Sequence, residues 1–294
     1  MGYLLAFLTA VFFSLNSMFL KKGMKDSEKD NGVFMSIIVN VILFSGGWVI
    51  YRLMNHDLPA PTVLGVLLFV FAGICTTFLG RVTLFAGIRN IGPSRAVALK
   101  NSSPVFTLLF AIFILQESIG FWPWIGLLLI FAGLAIQGVQ LFKQGNQLFN
   151  YLGFLLSILA AVSFGIGQGF RKQAMFYFPD PFTGALIGAI IALVSISIHE
   201  MTKGTFINTV KTNLRFQNKH YIISGVMTSF AVLSFFFSLK FIHVAYAGAI
   251  AAVEPVLTVI LSSIFLKSEE KVSLTVVISA IFIFLGAGTI AFTG

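Results

Sequence analysis

The sequence predicts an all-α membrane protein: ten transmembrane helices arranged as two inverted five-helix repeats, residues 1–147 and 148–294. Three observations carry this. Charged residues make up 10% of the chain, against about 25% in soluble domains, while 57% are hydrophobic and the mean hydropathy is +0.97. Ten apolar stretches follow one another, each near the ~20 residues that cross ~30 Å of hydrocarbon. The second half of the chain also repeats motifs of the first.

Tyr3–Leu20 is the first stretch. No basic residue precedes it and no small-x-small signal lies before Lys21-Lys22, so it reads as a retained helix and not a signal peptide. Val33–Arg52 follows a charged loop, and Pro59 and Pro61 mark the turn into Val63–Ile88, which contains Arg81. After Gly92-Pro93 comes Ser94–Glu117, then an aromatic turn with Trp122 and Trp124 that fits an interfacial belt, and Ile125–Phe142 closes the half. The pattern restarts with Tyr151–Phe170, Phe182–His199 and Tyr221–Ile242, then Ala245–Glu270 and Val272–Phe292. Between the second and third of these, Phe206, Val210 and Leu214 form one stripe, as in a short interfacial helix.

Ser94–Glu117 and Ala245–Glu270 run together without a gap around Pro104 and Pro255. Tyr3 likewise matches Tyr151 and, after a one-residue slip, Ser14 matches Ser163. Five segments per repeat is an odd number, so the second repeat enters the membrane from the opposite side. Such inverted repeats place the binding site near the midplane between the halves.

The candidate site follows from the two proline-bearing segments, read as kinked helices whose freed carbonyls need partners. Lys100, Asn101 and Ser103 precede Pro104, and Glu254 precedes Pro255. A charge at such depth costs roughly 2.5–3.5 kcal/mol on insertion scales, so it should face protein or a wet cavity. Glu254 lies too deep to snorkel and could bind a proton or an amine; the plainer alternative is a structural glutamate beside the kink. Lys100 could oppose Glu254 or a substrate carboxylate, or snorkel; Arg81, in the last third of its segment, could snorkel to a headgroup or face the cavity. Asn16 and Gln168, in the matched first and sixth helices, could bind solute or join helices, the latter worth roughly 0.6 kcal/mol. Tyr246 stands eight residues before Glu254, on broadly the same helical face. Glu117 reads as an interfacial helix end. Small-xxx-small pairs such as Gly165/Gly169 and Ala247/Ala251 permit close helix approach.

Five plus five helices, with PVFTLLFAIFILQE at Pro104–Glu117 and a glycine-bearing closing helix at Gly126 and Gly133, resemble the EamA-like branch of the drug/metabolite transporter superfamily. The second copy departs by one or two residues in the spacing to Glu269 or Glu270, but its Glu254-Pro255 pair also fits. The resemblance covers essentially the whole chain. It implies a secondary transporter with a central cavity and no cofactor, often an exporter of amino acids or other small metabolites. The expected partners are therefore a small-molecule substrate and the lipid bilayer of the cell membrane. Substrate, direction, proton coupling and oligomeric state stay open.

Other classes fare worse. Lysines and arginines form no basic stripe, which argues against nucleic-acid binding. His199-Glu200 lacks the second histidine of a zinc-protease motif, and His56, His199, His220 and His243 are scattered without metal-ligand spacing, so no enzyme is expected. The single Cys75 forms no intramolecular disulfide. An uptake carrier for a sugar, a lipid translocator and a channel remain as alternatives. Basic residues concentrate on the side away from the termini, which by the positive-inside rule puts both termini outside. The resemblance implies termini inside, and the orientation is left open.

Overall fold

The computed structural model describes residues 1–25, 33–54, 60–91, 96, 99–143, 150–214, 219–265 and 274–294. The break at Gly92-Pro93 and the glutamates Glu269 and Glu270 lie outside the described residues. In the first half these form α1 (Gly2–Lys25), α2 (Val33–Met54), α3 (Val63–Gly73), α4 (Gly80–Ile91), α5 (Ser103–Phe113) and α6 (Phe121–Lys143). The second half holds α7 (Tyr151–Tyr177), α8 (Pro181–Thr202), α9 (Phe206–Leu214), α10 (Lys219–Ser238), α11 (Val244–Ala251), α12 (Glu254–Phe265) and α13 (Leu274–Thr293). No strand occurs among the described residues.

Among the described residues six helices are long and apolar enough to cross a membrane: Gly2–Phe19, Phe34–Met54, Val63–Leu84, Tyr151–Tyr177, Pro181–Thr202 and Lys219–Ser238. Ser103–Phe113, Phe121–Ile136, Val244–Thr258 and Val277–Thr293 are shorter apolar helices. The protein is thus an integral multi-pass membrane protein.

Polar caps start several helices where the sequence supplies them. Thr62 Oγ1 accepts the Gly65 N–H at 3.1 Å ahead of α3, and Asn150 Oδ1 accepts that of Gly153 at 3.0 Å ahead of α7. Asp180 accepts from Phe182 and Thr183 at the start of α8, with Pro181 in the first turn. Each satisfies amides that a helix start leaves orphaned.

The halves are interleaved. Helix α1 packs on α10, and correspondingly α7 packs on α3 and α4; α2 packs on α8, and α6 on α13. Exchanging the halves leaves this pattern unchanged, as a two-fold relation between repeats requires. Glycine allows α6 and α13 to cross closely: a Cβ on Gly126 would stand 2.7 Å from the Gly286 carbonyl oxygen. The ends of the chain meet at one end of the bundle, where a Cβ on Gly294 would lie 2.9 Å from the Tyr3 hydroxyl and 3.0 Å from the Tyr246 ring.

The proline-bearing segments depart from the expected geometry. Neither proline kinks a continuous helix. The chain turns at Asn101 and Ser102 before α5 and at Ala252 and Val253 before α12, and each proline sits in the first turn of the new helix. At that position its missing N–H costs nothing. Helix α7 also outruns its expected end at Phe170, continuing to Tyr177.

Candidate cavity between the two halves

A cavity of about 300 Å³ lies between the repeats, at the lower end of the range for small-molecule sites. Its walls include both helix interruptions: Lys100, Asn101, Ser103 and Pro104 from the first repeat and Glu254 and Pro255 from the second. The lining reaches Ser36 in the first turn of α2 and Ser224 near the start of α10. It therefore extends toward the end of the bundle opposite the chain termini.

The interruptions explain how polar groups come to face this space. At Ala252 the backbone leaves the regular helix (φ −70°, ψ 0°) and its N–H is shared among the carbonyls of Gly248, Ala249 and Ile250. Ser14 Oγ donates to the Glu254 carbonyl at 2.9 Å, and Ser17 Oγ donates to the Glu254 carboxylate at 3.1 Å. Helix α1 thus holds the start of α12. In the first half Thr107 Oγ1 donates to the Gly165 carbonyl at 3.3 Å, which ties α5 to α7. A Cβ on Gly165 would fall 2.7 Å from the Ser103 carbonyl oxygen, so only glycine admits this approach.

Arg81, Asn16 and Gln168 also line the cavity. The Lys100 ammonium sits 5.2 Å from the Phe164 ring centroid, Asn16 Oδ1 accepts from Ser224, and Gln168 Oε1 is buried without a hydrogen bond among the described residues. Tyr246 is placed elsewhere. It is 4% exposed in the apolar plug near the chain termini, stacked on His243 at 5.3 Å. The eight-residue spacing to Glu254 assumed one helix, and the turn at Ala252–Val253 breaks that register.

Three cavity features escaped the sequence reading. Arg171 falls just beyond the expected segment end at Phe170, yet it lies within α7 and lines the cavity. Its guanidinium donates to Thr76 Oγ1 at 3.1 Å and stands 5.2 Å from the Phe236 ring centroid. Thr76 and Thr77 reach the cavity from a π-helical turn, Ile74–Leu79, between α3 and α4; such turns concentrate at functional sites. The available signal was the Thr-Thr pair inside an otherwise apolar run. Among the described residues no cluster of His, Cys, Asp and Glu could hold a metal ion.

Two segments, residues 1–138 and 151–292, each match the model of the EamA-like transporter family. The chain belongs to the EamA-like transporter family. This EamA-like chain is accordingly a membrane transporter of small solutes. The two matched segments fall on the two halves that wall the cavity. Among curated proteins none matches the chain in sequence. A crystal structure of another protein shares the fold, with a TM-score of 0.73 at 16% identity over 99% of this chain and 96% of the other.

Proposed function

We propose that the protein crosses the membrane ten times and moves a small organic solute by alternating access. The halves, residues 1–147 and 148–294, rearrange around the central cavity. The observation that carries this reading is that the two interrupted helices, one from each repeat, line one and the same central cavity. Interrupted helices at the repeat interface are the usual ion and solute sites of inverted-repeat carriers.

On this reading the solute enters from the end where α2 and α10 begin, toward which the lining extends through Ser36 and Ser224. The opposite end is closed by the cluster of Tyr246, Leu239, Ile242 and Val244. Passage of a solute then requires that cluster to part while the other end closes. Glu254 serves as the proton or cation handle, since its carboxylate reaches both the cavity and the Ser17 hydroxyl. Export of a metabolite is the favoured direction, on the family resemblance.

Reconstitution into proteoliposomes tests the mechanism. A carrier gives saturable uptake and counterflow, in which internal unlabelled solute drives transient accumulation of external label. Flux that neither saturates nor shows counterflow would make the protein a channel.

A further inference from the structure

The charges around the cavity do not balance. Arg81, Lys100 and Arg171 line it, against the single carboxylate of Glu254. Among the described residues none of these three cations is in an ion pair; the ion pair found there joins Arg52 to Asp180 at 3.4 Å, outside the lining. Arg171 is held by the neutral Thr76 hydroxyl and the Phe236 ring, Lys100 by the Phe164 ring, and Glu254 by the Ser17 hydroxyl. Arg81 makes no hydrogen bond among the described residues and lines the same cavity as Arg171. Uncompensated cations at membrane depth are costly and mark solute pathways. Guanidinium forks suit carboxylate and phosphate oxygens in particular.

We propose that this cavity takes an organic anion, its carboxylate or phosphate held by Arg81, Arg171 and Lys100 and its apolar body against Phe13 and Phe164. The three cations are contributed by different elements: α4, α7 and the segment ahead of α5. The site is also asymmetric between repeats. Over the shared proline, Lys100 aligns with Ala251 and Ser103 with Glu254, so the first copy of the frame brings a cation to the cavity wall and the second a carboxylate. A solute with the anionic group at one end fits such a wall.

The proposal rests on the transport reading for its purpose, yet binding is measurable without flux. Thermal stabilisation and titration calorimetry on the purified full chain in neutral detergent would compare benzoate, phenyl phosphate, benzamide and benzylamine. These share one ring and differ in charge. Benzoate or phenyl phosphate should bind, and benzamide and benzylamine should not. Arg81→Gln should weaken anion binding about tenfold or more, as loss of a charge-assisted hydrogen bond does, while Arg81→Lys should restore most of it. Lys100→Gln gives an independent second variant should Arg81→Gln not fold.

Equal or better binding of benzylamine or benzamide overturns the proposal, and so does failure of both anions at millimolar concentration. Binding seen only for an added anionic phospholipid, phosphatidylglycerol, overturns it as well. Anion binding without counterflow would remove the carrier mechanism and leave the anion site standing. Counterflow of cations alone would do the reverse.

Discussion

The Glu117 carboxylate accepts the Val244 backbone N–H at 3.0 Å, so the residue just beyond α5 in the first half caps α11 in the second. Gln116, at φ 53°, turns the chain so that Glu117 faces back toward the other repeat. His243 occupies the N-cap position of α11 without capping it through its side chain, and Glu117 supplies the missing acceptor. From the other side Lys172, 8% exposed, donates to the carbonyls of Leu239 and Ile242 at 2.5 and 3.0 Å. A carboxylate thus meets a helix start and an ammonium meets the end of α10, both the favourable sense for the helix dipole. The turn from Leu239 to Val244, part of the apolar cluster around Tyr246, is thus held by both a carboxylate and an ammonium.

Removing the cap should therefore loosen the closed end. Glu117→Ala is expected to cost about 0.5–2 kcal/mol, the usual range for a lost N-cap, and Glu117→Gln less. Thermal unfolding in detergent reads the difference. An unchanged Tm in both variants would show that the contact contributes nothing.

Lys172→Met keeps most of the side-chain volume and removes the donor. Two carbonyls would lose a partner, at about 1–3 kcal/mol for each buried group left unsatisfied. A Tm close to that of the parent protein would mean that water replaces the ammonium without cost.

Glu254→Gln separates charge from shape in the cavity. If the carboxylate couples solute movement to protons, the variant should retain counterflow while losing the pH dependence of net uptake. Identical pH profiles in variant and parent would exclude that coupling.

Placement of Gln168 and Tyr246 gives a paired test. Gln168→Ala should change apparent solute affinity, because Gln168 lines the pocket and its buried amide oxygen has no hydrogen bond among the described residues. Tyr246→Phe should leave affinity alone and act on stability only, since the ring is packed in the apolar plug. The opposite result would move the site toward the chain termini.

Gly165 tests the packing that positions the cavity wall. Gly165→Leu would drive a side chain into the Ser103 carbonyl and the Phe106 side chain. Overpacking of this kind costs typically ~1–3 kcal/mol. Parent-like Tm and parent-like affinity in this variant would contradict the close α5–α7 contact.

Much of the cavity was legible because burying charge in lipid is expensive: Arg81, Lys100 and Glu254 stood out from apolar surroundings, and all three face the pocket. What sequence could not supply was the local register. Pro104 and Pro255 read equally well as kinks or as first-turn residues, and only the turns before them decide which. That ambiguity misplaced Tyr246. Arg171 was lost to a different cause, since an Arg-Lys pair at a membrane boundary and one a turn and a half inside it look alike along the chain. The hold of Glu117 on Val244 spans 127 positions, and no periodicity within one segment announces such a contact.

The interleaving of the halves also bears on biosynthesis. The Ser224 hydroxyl that meets Asn16 lies 208 positions downstream of it, so at ~5–20 residues per second the first helix waits roughly 10–40 s for its companion to leave the ribosome. Until then its serines and asparagine sit beside lipid or a temporary protein escort, which makes the nascent first half a natural client for membrane insertases and quality-control proteases.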